Sequence, residues 1–185
     1  MQPFPSGTVR QLLASPSVTP VTRRALLERM ATPPVRKFFT EAQFATLQAV
    51  CARLIPQPER ETPLDLAAYI DLRLSAGQTD GWRYEALPPD GEAYQTGLRG
   101  LDESATIAFG QPFQRLSDSE QDTLLDAVQR GKAAGEIWKT LPGIRFFEDL
   151  LTEAVEVYFS HPLAQEEIGY VGFADAAGWQ SVSIL

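Results

Sequence analysis

The chain has 185 residues, 44% hydrophobic and 22% charged, enough for one domain with a real core. A net charge of −8 argues against nucleic-acid binding, which needs clustered Lys and Arg. One Cys and one His exclude internal disulfides, the common zinc patterns, c-type haem attachment and a di-iron site built from paired Glu-x-x-His motifs.

Prolines 3, 5, 16, 20, 33 and 34 mark an extended or hinged N-terminal arm over residues 1–37. Within it Thr19 and Pro20 open a short helix whose apolar face is expected to hold Leu26, Leu27 and Met30. Arg23-Arg24 has the form of a twin-arginine export signal, but Glu28, Arg29 and Pro33-Pro34 interrupt any hydrophobic run after it. The expectation is therefore a cytoplasmic protein, with a periplasmic one as the alternative. No stretch approaches the length of a membrane span.

Helix signals follow one another from residue 38. Thr40–Gln43 reads as a capping box, with Phe44, Leu47, Cys51, Leu54 and Ile55 at helical spacing and Pro56 and Pro58 as the stop. Cys51 in that stripe is a buried structural thiol. Thr62-Pro63 is expected to start the next helix, with Leu66, Ala67, Ile70 and Leu74 inward and Gly77 past its end. A polar loop carries Trp82 and Tyr84, read as a clamp onto the domain's own surface. Asp90 is expected to cap a longer helix with Tyr94, Gly97, Leu98, Leu101, Ala105 and Ala108 on one side. Gly97 and Gly100 each cost about 1 kcal/mol there, so they point to close helix–helix approach.

A second capping box, Ser117–Glu120, opens a helix with Leu124, Leu125 and Val128 inward. Pro142-Gly143 then opens the longest apolar pattern of the chain, with Phe147, Leu150, Leu151, Ala154, Val155 and Tyr158 on one side. This helix is expected at the centre of the bundle and to close at Pro162. Glu148, Asp149, Glu153 and Glu156 fall on its other side, as a solvated face. His161 at its end either caps the helix or reaches a neighbouring subunit.

The pattern is all-α: a single helical bundle of about six helices over 38–162, followed by an extended Gly/aromatic tail over 163–185. That tail sets Gly169, Gly172 and Gly178 among Tyr170, Phe173 and Trp179, a mix suited to wrapping a surface. Nothing in the pattern supplies a nucleotide-binding loop, a nucleophile elbow or a metal site. No catalytic, cofactor-binding or metal-binding residue is assigned.

The segment YFSHPLAQEEIGYVGFADAAGWQSV resembles the C-terminal signature of the gluconate 2-dehydrogenase subunit 3 family: an aromatic pair and Ser before His-Pro, then a Gly-rich aromatic stretch. The helix ending in Ile55-Pro56, YIDLRL at 69–74 and YQTGLRGLD at 94–102 fit the same family in the same order. The resemblance implies a non-catalytic small subunit that stabilises and assembles an FAD-dependent, GMC-type sugar or glycoside dehydrogenase. FAD would then sit in the large partner subunit, from which electrons pass to a cytochrome or another acceptor. The interface residues it implies are Tyr158, Phe159, His161, Pro162, Glu167, Gly169, Tyr170, Gly172, Phe173 and Trp179. The rival readings are a free-standing chaperone of the flavoprotein and an enzyme using the 148–156 carboxylates. The family's Tyr-Gly-Gly-Asn after the Pro is replaced here by Leu163–Glu167, a departure that suits a cytoplasmic pair.

Overall fold

A computed structural model of the chain describes residues 7–16, 18–31, 35–78, 86–168 and 170, and all regular structure among them is helical. Trp82 and Tyr84 lie outside the described residues. The elements are α1 (Thr8–Ala14), α2 (Pro20–Arg29), α3 (Glu41–Leu54), α4 (Leu66–Ser75), α5 (Asp90–Phe109), α6 (Asp118–Gln129), α7 (Gly143–Ser160) and α8 (Pro162–Glu167), with 3-10 turns at Phe113–Arg115 and Ile137–Lys139. They fall into two compact units, Pro33–Val157 and Met1–Thr32 with Tyr158–Leu185.

In the larger unit the hub is α3, which α4, α5, α6 and the first 3-10 turn all approach. The expectation that α7 would be central is corrected here. The α4, α5 and α6 backbones come near α3, whereas α7 meets α5 through a large ring, that of Phe146 over Gly97. The capping box at Thr40 is present, with Gln43 reaching back to the Thr40 N–H. Leu47, Val50 and Cys51 are buried, while Phe44, Leu54 and Ile55 are only half-buried. Helix α4 starts at Leu66 rather than at Thr62-Pro63, because the Asp65 carboxylate accepts the Ala68 N–H and fixes the first turn three residues later. It ends as expected at Gly77 (φ 64°), where the Gln78 N–H returns to the Arg73 carbonyl.

Asp71, buried on α4, holds the irregular entry to α3. Its carboxylate accepts the N–H groups of Lys37 (2.6 Å), Phe38 (3.0 Å) and Phe39 (2.9 Å). Three charge-assisted bonds of this kind replace the water that a buried carboxylate would otherwise lose.

Helix α5 begins at Asp90, but Pro89 occupies the cap position, so Asp90 is a first-turn residue rather than the cap. The side with Tyr94, Gly97, Leu98, Leu101 and Ala105 is buried and Ala108 is exposed. Both glycines receive rings. A Cβ on Gly97 would lie 2.2 Å from Phe146 Cε2, and one on Gly100 would lie 2.7 Å from Trp138 Cζ2. Phe146, Tyr94 and Trp138 form one aromatic cluster, with Phe146 edge-on to Tyr94 at 6.2 Å and tilted against Trp138 at 5.9 Å. Trp138 Nε1–H donates to Ser104 Oγ (2.7 Å), which donates to the Ala134 carbonyl (2.5 Å), and Glu103 accepts the Glu136 and Ile137 N–H groups. The loop between α6 and α7 is thereby laced to α5.

Helix α6 carries the expected box at Ser117–Glu120 and the expected inward Leu124, Leu125 and Val128. Its buried Gln121 donates to the carbonyls of Phe113 and Leu116. Arg53 of α3 ties it down, donating to Asp118 (2.6 Å) and Asp122 (2.7 Å).

In the smaller unit, Thr19 and Pro20 open α2 as expected. Leu26 is buried with Val9, Leu13 and Val18, and Met30 packs against them. Leu27, expected on that face, is 52% exposed, since it is only one position, 100° of helix, away from Leu26. Arg23 donates to the carbonyls of Leu13, Ser15 and Val18, which gives half of the arginine pair a structural task. The residues just after His161, expected as extended tail, form the short helix α8.

Candidate partner-binding segment and the buried polar cluster

The residues singled out at the C-terminal side begin where α7 ends. Tyr158 sets its ring edge-on to Phe159 (centroids 5.0 Å, 89°) and donates its hydroxyl to Glu167 (2.8 Å). His161 is buried and stands at the N-cap of α8, where its Nδ1 accepts the Leu163 N–H at 3.2 Å. The ring therefore acts as an acceptor for the following helix, not as a cation on the carbonyl end of α7. That geometry requires an unprotonated Nδ1. Pro162 is buried at the first helical position, where its missing N–H costs nothing.

Gln165 turns back to the Phe159 carbonyl (2.9 Å), so the chain doubles on itself across the α7–α8 corner. Phe159, Ile168 and Tyr170 remain 40, 55 and 45% exposed. Of the expected interface set the structure brings together Tyr158, Phe159, His161, Pro162 and Glu167 at this corner. Gly169, Gly172, Phe173 and Trp179 lie outside the described residues.

The carboxylates expected to form a solvated face of α7 do not behave as a group. Glu153 is 5% exposed and accepts Arg73 Nε at 2.7 Å, and Arg73 also lies 3.5 Å from Asp90. Glu148 pairs instead with Arg145 on the surface, and Glu156 is exposed. The correction has a geometric reason. Residues 146, 150 and 153 repeat at i, i+4 and i+7, so Glu153 shares the face of Phe146 and Leu150, both fully buried.

Burial also shifts other groups of the larger unit. The Tyr94 hydroxyl is fully buried and has no hydrogen-bond partner among the described residues, and burial together with Glu153 and Asp149 pushes its acidity well below that of an ordinary phenol. Burial likewise pushes the Cys51 thiol up to about 12, with Asp65 and Glu153 adding to the effect. Asp102 on α5 is raised by desolvation, opposed by its bonds from the Phe113 N–H and the Thr46 hydroxyl. An acid and a base facing a common opening would be the mark of proton-transfer chemistry. Glu153 instead pairs with the part-buried Arg73.

Sequence reasoning missed three buried carboxylates: Asp71, Glu153 and Glu166. Two left a signal, since Asp71 sits in the stripe of Ala67, Ile70 and Leu74, and Glu153 in that of Phe146 and Leu150. Glu166 left none, because a six-residue helix shows no periodicity.

No helix among the described residues is long and apolar enough to cross a membrane. No curated protein and no solved structure matches the chain. Residues 41–179 match the family described as Gluconate 2-dehydrogenase subunit 3, a span that runs from the first turn of α3 through the aromatic corner to Trp179. The chain belongs to the gluconate 2-dehydrogenase subunit 3 family.

Proposed function

We propose that this chain is a non-catalytic small subunit that stabilises and assembles an FAD-dependent, GMC-type sugar or glycoside dehydrogenase in the cytoplasm. The larger unit is its rigid body. The segment from Tyr158 to Trp179 clasps the flavoprotein, with Phe159, Tyr170, Phe173 and Trp179 as aromatic anchors and Gly169 and Gly172 allowing close backbone approach. FAD and the catalytic groups belong to the partner, which passes electrons on to a cytochrome or another acceptor. The observation that carries this reading is the family match, which extends through that segment. The pairing of Glu153 with Arg73 supports it, since it removes the best-placed carboxylate from acid–base use.

The test is co-expression of the tagged chain with the candidate flavoprotein, followed by size exclusion with absorbance read in the flavin band. Co-elution of both chains with flavin, and loss of soluble flavoprotein when this chain is left out, is the expected result. Transient capture of apo-flavoprotein alone would replace the subunit with a free-standing chaperone. Turnover of a sugar by the purified chain without flavin would overturn the non-catalytic assignment.

A further inference from the structure

Three charged side chains of the smaller unit close helix ends belonging to other elements. Glu166 of α8 accepts the N–H groups of Gly7 (2.8 Å) and Val9 (2.6 Å) at the start of α1, where the N-cap glycine has no side chain to do so. Arg23 of α2 donates to the carbonyls of Leu13 (2.6 Å) and Ser15 (2.8 Å) at the other end of α1. Arg29 at the end of α2 donates to the Ser160 carbonyl (3.4 Å), the last residue of α7. The links run from α8 to α1, to α2, and back to the end of α7, two residues before α8 begins. They form a closed ring.

The helices in that ring are short: seven residues for α1 and six for α8. Helices of this length do not persist alone in water, so each is folded on its neighbours. Val9, Leu13, Val18 and Leu26 supply the apolar contact, and Glu166, only 6% exposed, is the polar link across 157 positions of sequence to Val9.

We propose that residues 7–31 are a latch that sets the conformation of the C-terminal segment. Helix α1 forms only with Glu166 on its N-terminal N–H groups, and α8 keeps its place only while α1 is there. The latch lies outside the span that matches the family, and it gives that part of the chain a role. Because coupling between two elements is reciprocal, loosening either one loosens the other.

Hydrogen exchange read by mass spectrometry on the free, full-length chain tests this. Glu166→Ala removes both acceptors and should speed exchange across residues 8–14 about 10-fold or more, the scale of one lost hydrogen bond to a charged group. Glu166→Gln, keeping one acceptor oxygen, should fall between it and the wild type. From the other side, Val9→Ala should speed exchange across residues 162–168 while α3, α4 and α5 stay at wild-type rates. Wild-type rates in 8–14 for Glu166→Ala, or in 162–168 for Val9→Ala, would overturn the latch. Should Glu166→Ala disturb α3–α5 as well, the conservative Val9→Ala decides.

One consequence rests on the subunit reading: the latch holds Phe159 and Tyr170 for the flavoprotein, so Glu166→Ala should weaken its capture at least about 10-fold. Failure of the wild-type chain to bind flavoprotein would remove that reading. The exchange result on the free chain would still decide the latch.

Discussion

Replacing Gly97 by alanine sets two effects of known sign against each other. In an exposed helix interior the change stabilises by about 1 kcal/mol, because alanine loses less backbone entropy. Here the new Cβ would lie 2.2, 2.3 and 2.6 Å from Cε2, Cζ and Cδ2 of Phe146. Ordinary contact between carbons is about 3.5–4.0 Å, so the ring must retreat by more than about 1 Å. It has little room, since Phe146 is 1% exposed and held by Tyr94 and Trp138.

Overpacking of such a core costs about 1–3 kcal/mol and more where the ring is caged. We expect the steric side to win by about 2 kcal/mol, a fall in Tm of about 4–8 °C for a chain of this length. Circular dichroism at 222 nm during heating and urea titration measures it, with tryptophan fluorescence reporting the Trp138 environment. Phe146→Leu in the same chain should return part of the loss, with a coupling of about 1 kcal/mol or more. A Gly97→Ala variant as stable as the wild type, with unchanged tryptophan emission, would refute the close-approach argument.

The Arg73–Glu153 pair predicts a different asymmetry. Arg73→Ala should destabilise by about 3 kcal/mol because it strands a buried carboxylate, whereas Arg73→Met with Glu153→Leu should cost far less, as urea midpoints would show. Arg53→Ala, at a pair whose acids are exposed, should cost no more than about 1 kcal/mol, and the difference should shrink in high salt. Cys51 should resist maleimide at pH 8 until the chain is unfolded. Its folded-state acidity lies near 12 against an ordinary 9.0, so the unfolded chain gives up a proton that the folded chain keeps. The Cys51 contribution is therefore full below pH 9 and should be lost as pH rises through that window; Cys51→Ala should show a shallower decline, with the part due to buried Tyr94 still present above pH 10. Trp179→Ala should weaken flavoprotein capture in pull-down while leaving helix content intact; equal capture would remove that residue from the anchor set.

Helical periodicity and capping chemistry made most of the bundle legible. Both capping boxes, the inward faces of α4 and α6 and the glycine stop after α4 follow from local rules that tertiary contact did not override. The hub was not legible, because apolar width on a wheel measures how much a helix buries, not how near its backbone comes. On α5 the two glycines carried that information, and it was the rings of Phe146 and Trp138, not another backbone, that used it. The polar core escaped for a related reason. Glu153 reads as surface until Phe146 is placed at the centre of its face, and its partner Arg73 is 80 positions away. At the candidate interface, local pattern located the aromatic pair Tyr158-Phe159 but not α8, whose fold depends on α1.

The triple acceptor at Asp71 bears on where this protein can be cut. Its three donors are Lys37, Phe38 and Phe39, and the family match starts at residue 41. A fragment trimmed to the matched span would keep the carboxylate and discard these three main-chain donors, leaving the buried side chain of Asp71 without them. Such a fragment would begin life with a fault in its core, although it contains all the residues by which the family is identified. Sequence kinship and foldable unit therefore have different left-hand borders here, and the second lies upstream of Lys37.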